Sequence, residues 1–152
     1  MRTTNGAPAT ILLVEDDPGD RHLTMRALQD GKIRNQVYIA QDGERALDYL
    51  FRRGKCQDPG ASPRPDRVLL DLNLPKVDGR QVLAEIKADP GLRRLAVVVL
   101  TTSQQEEDII RSYDLGANSF ITKPVNVDQF ARAIRTLEEY WFEIVVRQGG
   151  EP

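Results

Sequence analysis

The side chains able to do chemistry in this sequence stand at the ends of apolar runs. "ILLV" (11–14) leads straight into Glu15, Asp16 and Asp17. "VLLD" ends in Asp71, "VVVLTT" ends in Thr101 and Thr102, and "SFIT" leads into Lys123 and Pro124. Two unit charges about 4 Å apart repel by roughly 4 kcal/mol at an effective dielectric near 20. Three carboxylates held together carry three such repulsions, on the order of 10 kcal/mol, so they must take up protons or hold cations. Lys123 supplies one positive charge. A hard divalent ion suits the remainder, and Mg2+ accepts one or two carboxylates, a carbonyl and waters. Mg2+, an ammonium and a hydroxyl are also what a phosphoryl group in transfer needs. Asp71 is then a nucleophile able to become an aspartyl phosphate.

These residues need a frame that brings strand ends together. The near-continuous apolar runs at 11–14, 36–40, 67–72, 95–102 and 119–122 suit buried parallel strands. Helical patterns lie between them. Asp17 caps a first helix with Pro18 in its opening turn and Asp20 near its positive end. Leu23, Ala27 and Leu28 give that helix its spacing, and Gly31 stops it. Asp42 caps a second helix, "VDGRQVLAEIKAD" forms a third before Pro90, a fourth spans 104–115, and a fifth runs from Val127 into the 140s. The expected class is α/β, a doubly wound five-stranded parallel sheet with five helices. Alternation does not set strand order; 2-1-3-4-5 is compatible and makes the first and third strands neighbours. Ligands in such sheets bind beyond the carboxyl ends of the strands, where the acids, hydroxyls and ammonium gather.

Each feature alone has a plain structural reading. An acidic run often opens a capped helix, an Asp often ends a strand, and Lys-Pro is a common loop dipeptide. Their joint occurrence, each at a strand end, points to one site.

Bulk properties exclude other classes. Lys plus Arg is 21 and Asp plus Glu is 23, a net charge of -2. That gives no electrostatic case for nucleic-acid binding, which usually needs a basic face. No stretch approaches the length of a membrane span, and the polar N-terminus is not a secretion signal. One cysteine, Cys56, and one histidine, His22, exclude an internal disulfide and a multi-histidine metal site. A cytoplasmic location is expected.

The motifs "LLVEDD", "VLLDLNLPKVDG", "VVVLTTS" and "GANSFITKPV" resemble the receiver domain of two-component response regulators. The resemblance runs over nearly the whole chain. It implies the flavodoxin-like receiver fold, Mg2+ and phosphorylation by a sensor histidine kinase. Asp71 corresponds to the phospho-acceptor, and Glu15 and Asp16 to the acidic metal-binding pair. The backbone carbonyl of Asn73 corresponds to a further metal ligand. Thr101 corresponds to the switch hydroxyl, Lys123 to the phosphate-pairing lysine and Phe120 to the aromatic switch. Pro124 corresponds to a cis-proline.

Four positions depart from the family pattern. Glu15 replaces the commoner Asp, Thr102 stands where a small residue is usual, Phe120 lacks a hydroxyl, and Asp17 is an extra acid best explained as a cap.

A further resemblance, to stand-alone regulators partnering bacterial phytochrome-type kinases, rests on the long loop before the third strand (54–65) and on "LEEYWFEIVV". The domain plan is a flexible N-terminus (1–9), one receiver domain with an extended last helix (10–146) and a flexible tail (147–152). No output domain is expected after the fifth helix, so the signal is expected to leave through a protein surface. Phe130, Ile134, Leu137, Trp141 and Ile144 recur at helical spacing. Their late members suggest a homodimer through the fourth helix, fifth strand and fifth helix, with the C-terminal helix. His22 reads as a surface residue and Cys56 as incidental.

Two rival functions share features with this reading, a phosphatase through its chemistry and a scaffold through the fold. A phosphatase of the haloacid-dehalogenase type also uses an aspartate nucleophile with Mg2+, but needs an acid two positions later, where this chain has Asn73. A phosphorylation-independent scaffold would have no need of Asp16, Asp71, Thr101 and Lys123 together.

Overall fold

Residues of alternate parity along the central strands are buried on opposite faces of one sheet. This explains why those strands read as unbroken apolar runs. The computed structural model describes residues 9–30, 35–53, 63–102, 108, 119–123, 125–126, 128–129 and 132. In chain order the elements are β1 (Ala9–Val14), α1 (Pro18–Asp30), β2 (Asn35–Ala40), α2 (Gly43–Phe51), β3 (Arg67–Asp71), α3 (Gly79–Ala88), β4 (Ala96–Thr101) and β5 (Ser119–Thr122).

All neighbouring strands pair in parallel, in the order β2-β1-β3-β4-β5. The strand order left open by the element pattern is thus the doubly wound one. Leu12, Val14, Val68, Leu70, Val97 and Val99 join a core with α2 and α3. Ile11, Leu13, Leu69, Val98 and Leu100 join a second core with Ala27 and Leu28 of α1. Full burial of each such side chain contributes about 1.5–3 kcal/mol.

The helix starts are capped, at Asp17 and Asp42 as expected and at Asp78 as well. Asp17 Oδ2 accepts from Asp20 N at 2.8 Å, Asp42 Oδ1 from Arg45 N at 2.7 Å, and Asp78 Oδ1 from Arg80 N at 2.8 Å. Element ends are tighter than the apolar patterns suggest. Leu72 leaves β3 because its carbonyl turns to accept from Leu74 N and Gly79 N. Leu95 precedes β4 because its N–H closes a turn onto Leu92 O. The segments expected as fourth and fifth helices lie outside the described residues, apart from Asp108, Asp128, Gln129 and Arg132, which are helical. Cys56, Pro124, residues 54–62, both termini and the apolar residues from Phe130 onward also lie outside them. No helix among the described residues is long and apolar enough to cross a membrane.

The loop from Leu72 to Asp78 is gripped from two sides. A Cβ on Gly79 would lie 2.3 Å from the Asp71 carbonyl, and one on Gly43 would lie 1.9 Å from the Val77 carbonyl. Lys76 turns this loop with a positive φ of 67°. Its ammonium lies 3.7 Å from Asp42, the cap of α2. The backbone beside Asp71 is therefore fixed by the absence of side chains at two positions. Gly43→Ala and Gly79→Ala should each lower stability by about 1–3 kcal/mol through backbone overpacking. Urea unfolding measures this; unchanged midpoints would refute the packing.

Candidate functional site

β1, β3, β4 and β5 deliver their last residues to one sheet edge. Pairing persists one step past the strand ends, with Glu15 N donating to Ala40 O at 3.1 Å and Lys123 N to Thr101 O at 2.8 Å. These bonds set the backbone from which the Glu15 and Lys123 side chains project.

Lys123 is the hub. Its Nζ lies 2.6 Å from Glu15 Oε1, 3.1 Å from Asp71 Oδ2 and 3.1 Å from Asp20 Oδ2. Glu15 is fully buried, Asp71 is 2% exposed, and Asp16 is exposed. A carboxylate oxygen from each of Glu15, Asp16 and Asp71 lies within 4.8 Å of the others. Asp71 Oδ1 accepts from Asn73 N at 3.3 Å, and Glu15 Oε2 from Asp17 N at 3.3 Å. Thr101 is fully buried, and its Oγ1 has no hydrogen-bond partner. A buried hydroxyl without a partner is costly and is a mark of functional sites.

The charges do not balance. Burial, with Asp71 alongside, pushes the Glu15 carboxyl up to about 7, although Lys123 pulls the other way. Burial alone would depress the Lys123 ammonium. Glu15, Asp20 and Asp71 outweigh it and hold that ammonium above its ordinary value. One cation is therefore too little for this cluster. Oxygen donors alone, converging and under-neutralised, fit a hard divalent ion such as Mg2+. Glu15, Asp16 and Asp71 are the residues that could hold it.

The structure brings together Glu15, Asp16, Asp71 and Lys123 as the sequence predicts, with Thr101 at the adjoining end of β4. Asn73 is exposed at the start of the following loop. Phe120 is half-buried and packs on the α2–α3 core. Thr102 and His22 are exposed, the latter on α1. Asp17 is the helix cap. Sequence reasoning missed two participants. Asp20 reads in the sequence only as a helix-dipole acid, yet its carboxylate pairs with Lys123. Arg21 Nη1 donates to the Glu15 and Asp16 carbonyls at 3.2 and 3.3 Å. The available signal was position, since both lie one helical turn beyond the acidic pair.

Fold and site together define a doubly wound α/β protein of the flavodoxin-like receiver type. The comparisons agree. The family model described as the response regulator receiver domain matches residues 11–135. Response regulator Rcp1 of Synechocystis sp. (strain ATCC 27184 / PCC 6803 / Kazusa) is 43% identical over 145 residues, which cover 95% of this chain and 97% of that protein. The bacteriophytochrome response regulator AtBRR superposes with a TM-score of 0.80 at 47% identity, over 86% of this chain and 93% of its own. The phosphorylated cyanobacterial phytochrome response regulator RcpA gives a TM-score of 0.72 at 46% identity, over 90% and 95%. A Mn2+-bound form of Rcp1 gives 0.70 at 45% identity, over 88% and 94%. This chain belongs to the response regulator receiver domain family, whose members are signalling proteins.

The raised Glu15 carboxyl has a consequence for stability. Between about pH 4.5 and 7 the folded metal-free chain keeps a proton that the unfolded chain has released. Folding stability contributed by this group is therefore full below about pH 4.5 and lost as pH rises through 7, by at most about 3 kcal/mol. Mg2+ bound to the ionised cluster removes that loss. Thermal melts should show the decline in metal-free protein, little of it in Glu15→Gln, and little with saturating Mg2+. Parallel profiles for the metal-free wild type and Glu15→Gln would contradict the assignment.

Proposed function

We propose that this chain accepts a phosphoryl group on Asp71 from a phosphohistidine of a sensor histidine kinase and signals by the resulting change of surface. The carrying observation is a buried Asp71 carboxylate within 3.1 Å of Lys123 and inside the Glu15, Asp16, Asp71 cluster. An Asp71 oxygen forms the new P–O bond as the P–N bond to the kinase histidine breaks. Glu15, Asp16 and Asp71 would hold Mg2+, with the Asn73 carbonyl as a further ligand. Bound there, Mg2+ supplies positive charge against the phosphoryl oxygens. Lys123 already stands beside Asp71 and adds a second positive charge. Thr101 has a buried hydroxyl free to donate to a phosphoryl oxygen.

The modification adds about two negative charges at Asp71. Thr101 and Lys123 are drawn towards the new oxygens. The ends of β4 and β5 move with them, and Phe120 on β5 transmits the shift by packing, since it has no hydroxyl. This is a local charge event biasing a two-state surface. The chain is a phospho-accepting switch with no other turnover, because Asn73 occupies the position where an aspartate phosphatase carries its general acid.

The kinase is of the bacterial phytochrome type. Relatives named as phytochrome response regulators, at 46–47% identity over most of both chains, support this reading. The location is cytoplasmic, and the readout is by protein contact, with no nucleic acid or membrane. The chain works as a single receiver domain over 10–146. Homodimerisation through the C-terminal apolar residues, Trp141 among them, is supported by their helical spacing in the sequence.

Asp71→Asn should abolish acid-labile phosphate incorporation from a histidine kinase or acetyl phosphate; persistent labelling would place the acceptor elsewhere. Sedimentation of the chain truncated after Glu139 should show monomer where the full chain dimerises. An unchanged equilibrium would remove the dimer interface from this segment.

A further inference from the structure

We propose that Asp20 is a positioning residue of the phospho-acceptor site: it is the alternative anion for Lys123, which lets that ammonium yield Glu15 and Asp71 to a metal ion. The inference rests on the reading of Asp71 as a metal-assisted phospho-acceptor.

Lys123 Nζ occupies one oxygen on each of two carboxylates that the metal cluster also requires, Glu15 Oε1 and Asp71 Oδ2. A divalent ion and an ammonium compete for the charge of those two carboxylates. A half-buried lysine moved off both without a new partner would be an unpaired charge in a poorly solvated place. Asp20 removes that difficulty. Its Oδ2 is 3.1 Å from Nζ, as close as Asp71, yet Asp20 is outside the carboxylate cluster that converges on the metal position. Its side chain is 36% exposed, so solvent already carries part of its charge.

The first turn of α1 is built to hold Asp20 there. The Asp17 cap accepts from Asp20 N at 2.8 Å. Gly19 leaves room for that cap, since even a Cβ would come within 3.2 Å of Asp17 Oδ2. Arg21 ties the same turn to the Glu15 and Asp16 carbonyls at 3.2 and 3.3 Å. Three neighbours of Asp20 thus fix its backbone relative to the acidic pair. The contact it makes spans 103 positions of sequence. The opening acid of the site is a glutamate, whose longer side chain reaches Lys123 at 2.6 Å. A tightly gripped lysine needs a competing anion more than a loosely held one.

The test is a double-mutant cycle read by calorimetric titration with Mg2+ alone. Asp20→Asn should weaken Mg2+ binding by about fivefold, the scale of a partly exposed ion pair. Asp20→Glu should restore most of the loss. In a Lys123→Met background Asp20→Asn should change Mg2+ affinity by less than about twofold, because no ammonium remains to be parked. Thermal melts of each variant separate this from a weakened helix start, which would lower Tm equally in both backgrounds. An equal loss of Mg2+ affinity with and without Lys123 would overturn the role and leave only a distant charge effect. An unaltered affinity in Asp20→Asn would also overturn it. Wild-type protein that binds no Mg2+ would overturn the site reading itself, and this proposal with it.

Discussion

The site depends on one ammonium among too many carboxylates. Lys123 bridges Glu15, Asp20 and Asp71, residues from the ends of β1 and β3 and from the start of α1. The contact ties the end of β5 to the other side of the sheet. It also sets the electrostatic state of the site. With Glu15 fully buried and its carboxyl raised to about 7, the cluster is short of positive charge. A site in that condition favours a bound cation.

The fold supplies this crowding at little cost elsewhere. Both faces of β1, β3 and β4 are buried among aliphatic side chains, so the sheet interior is stable without help from the edge. The acids lie beyond the last apolar residue of each strand, with Asp16 exposed and Glu15 and Asp71 buried against Lys123. Asp17 illustrates the division of labour. It is the third acid of the run, and it caps α1 instead of joining the metal cluster. The loop after β3 is held rigid by Gly43, Gly79 and the left-handed Lys76, so the backbone next to Asp71 has little freedom.

Much of this was legible in the sequence, for identifiable reasons. Apolar runs ending in Glu15, Asp71, Thr101 and Lys123 announce both the strands and the edge at which they meet. Asp17 and Asp42 stand where caps belong, and both cap. Other features depend on contacts across long stretches of chain, and local patterns are silent about those. Alternation alone fits more than one strand order; 2-1-3-4-5 is expected only from the flavodoxin-like resemblance, and the pairing of Ile11–Val14 with both Val37–Ala40 and Arg67–Leu70 bears it out. Asp20 reads locally as a helix-dipole acid, and only the folded chain sets it against a lysine 103 positions away. The partnerless Thr101 hydroxyl is likewise a property of burial, not of residue type.

The central claim is that these acids tolerate one another by enclosing a divalent cation. Crystals grown with Mn2+ and measured at its absorption edge test it directly. A single anomalous peak enclosed by the Glu15, Asp16 and Asp71 carboxylates, with Lys123 shifted towards Asp20, is the expected result. A map without a peak at that edge of the sheet, at saturating Mn2+, would contradict the account.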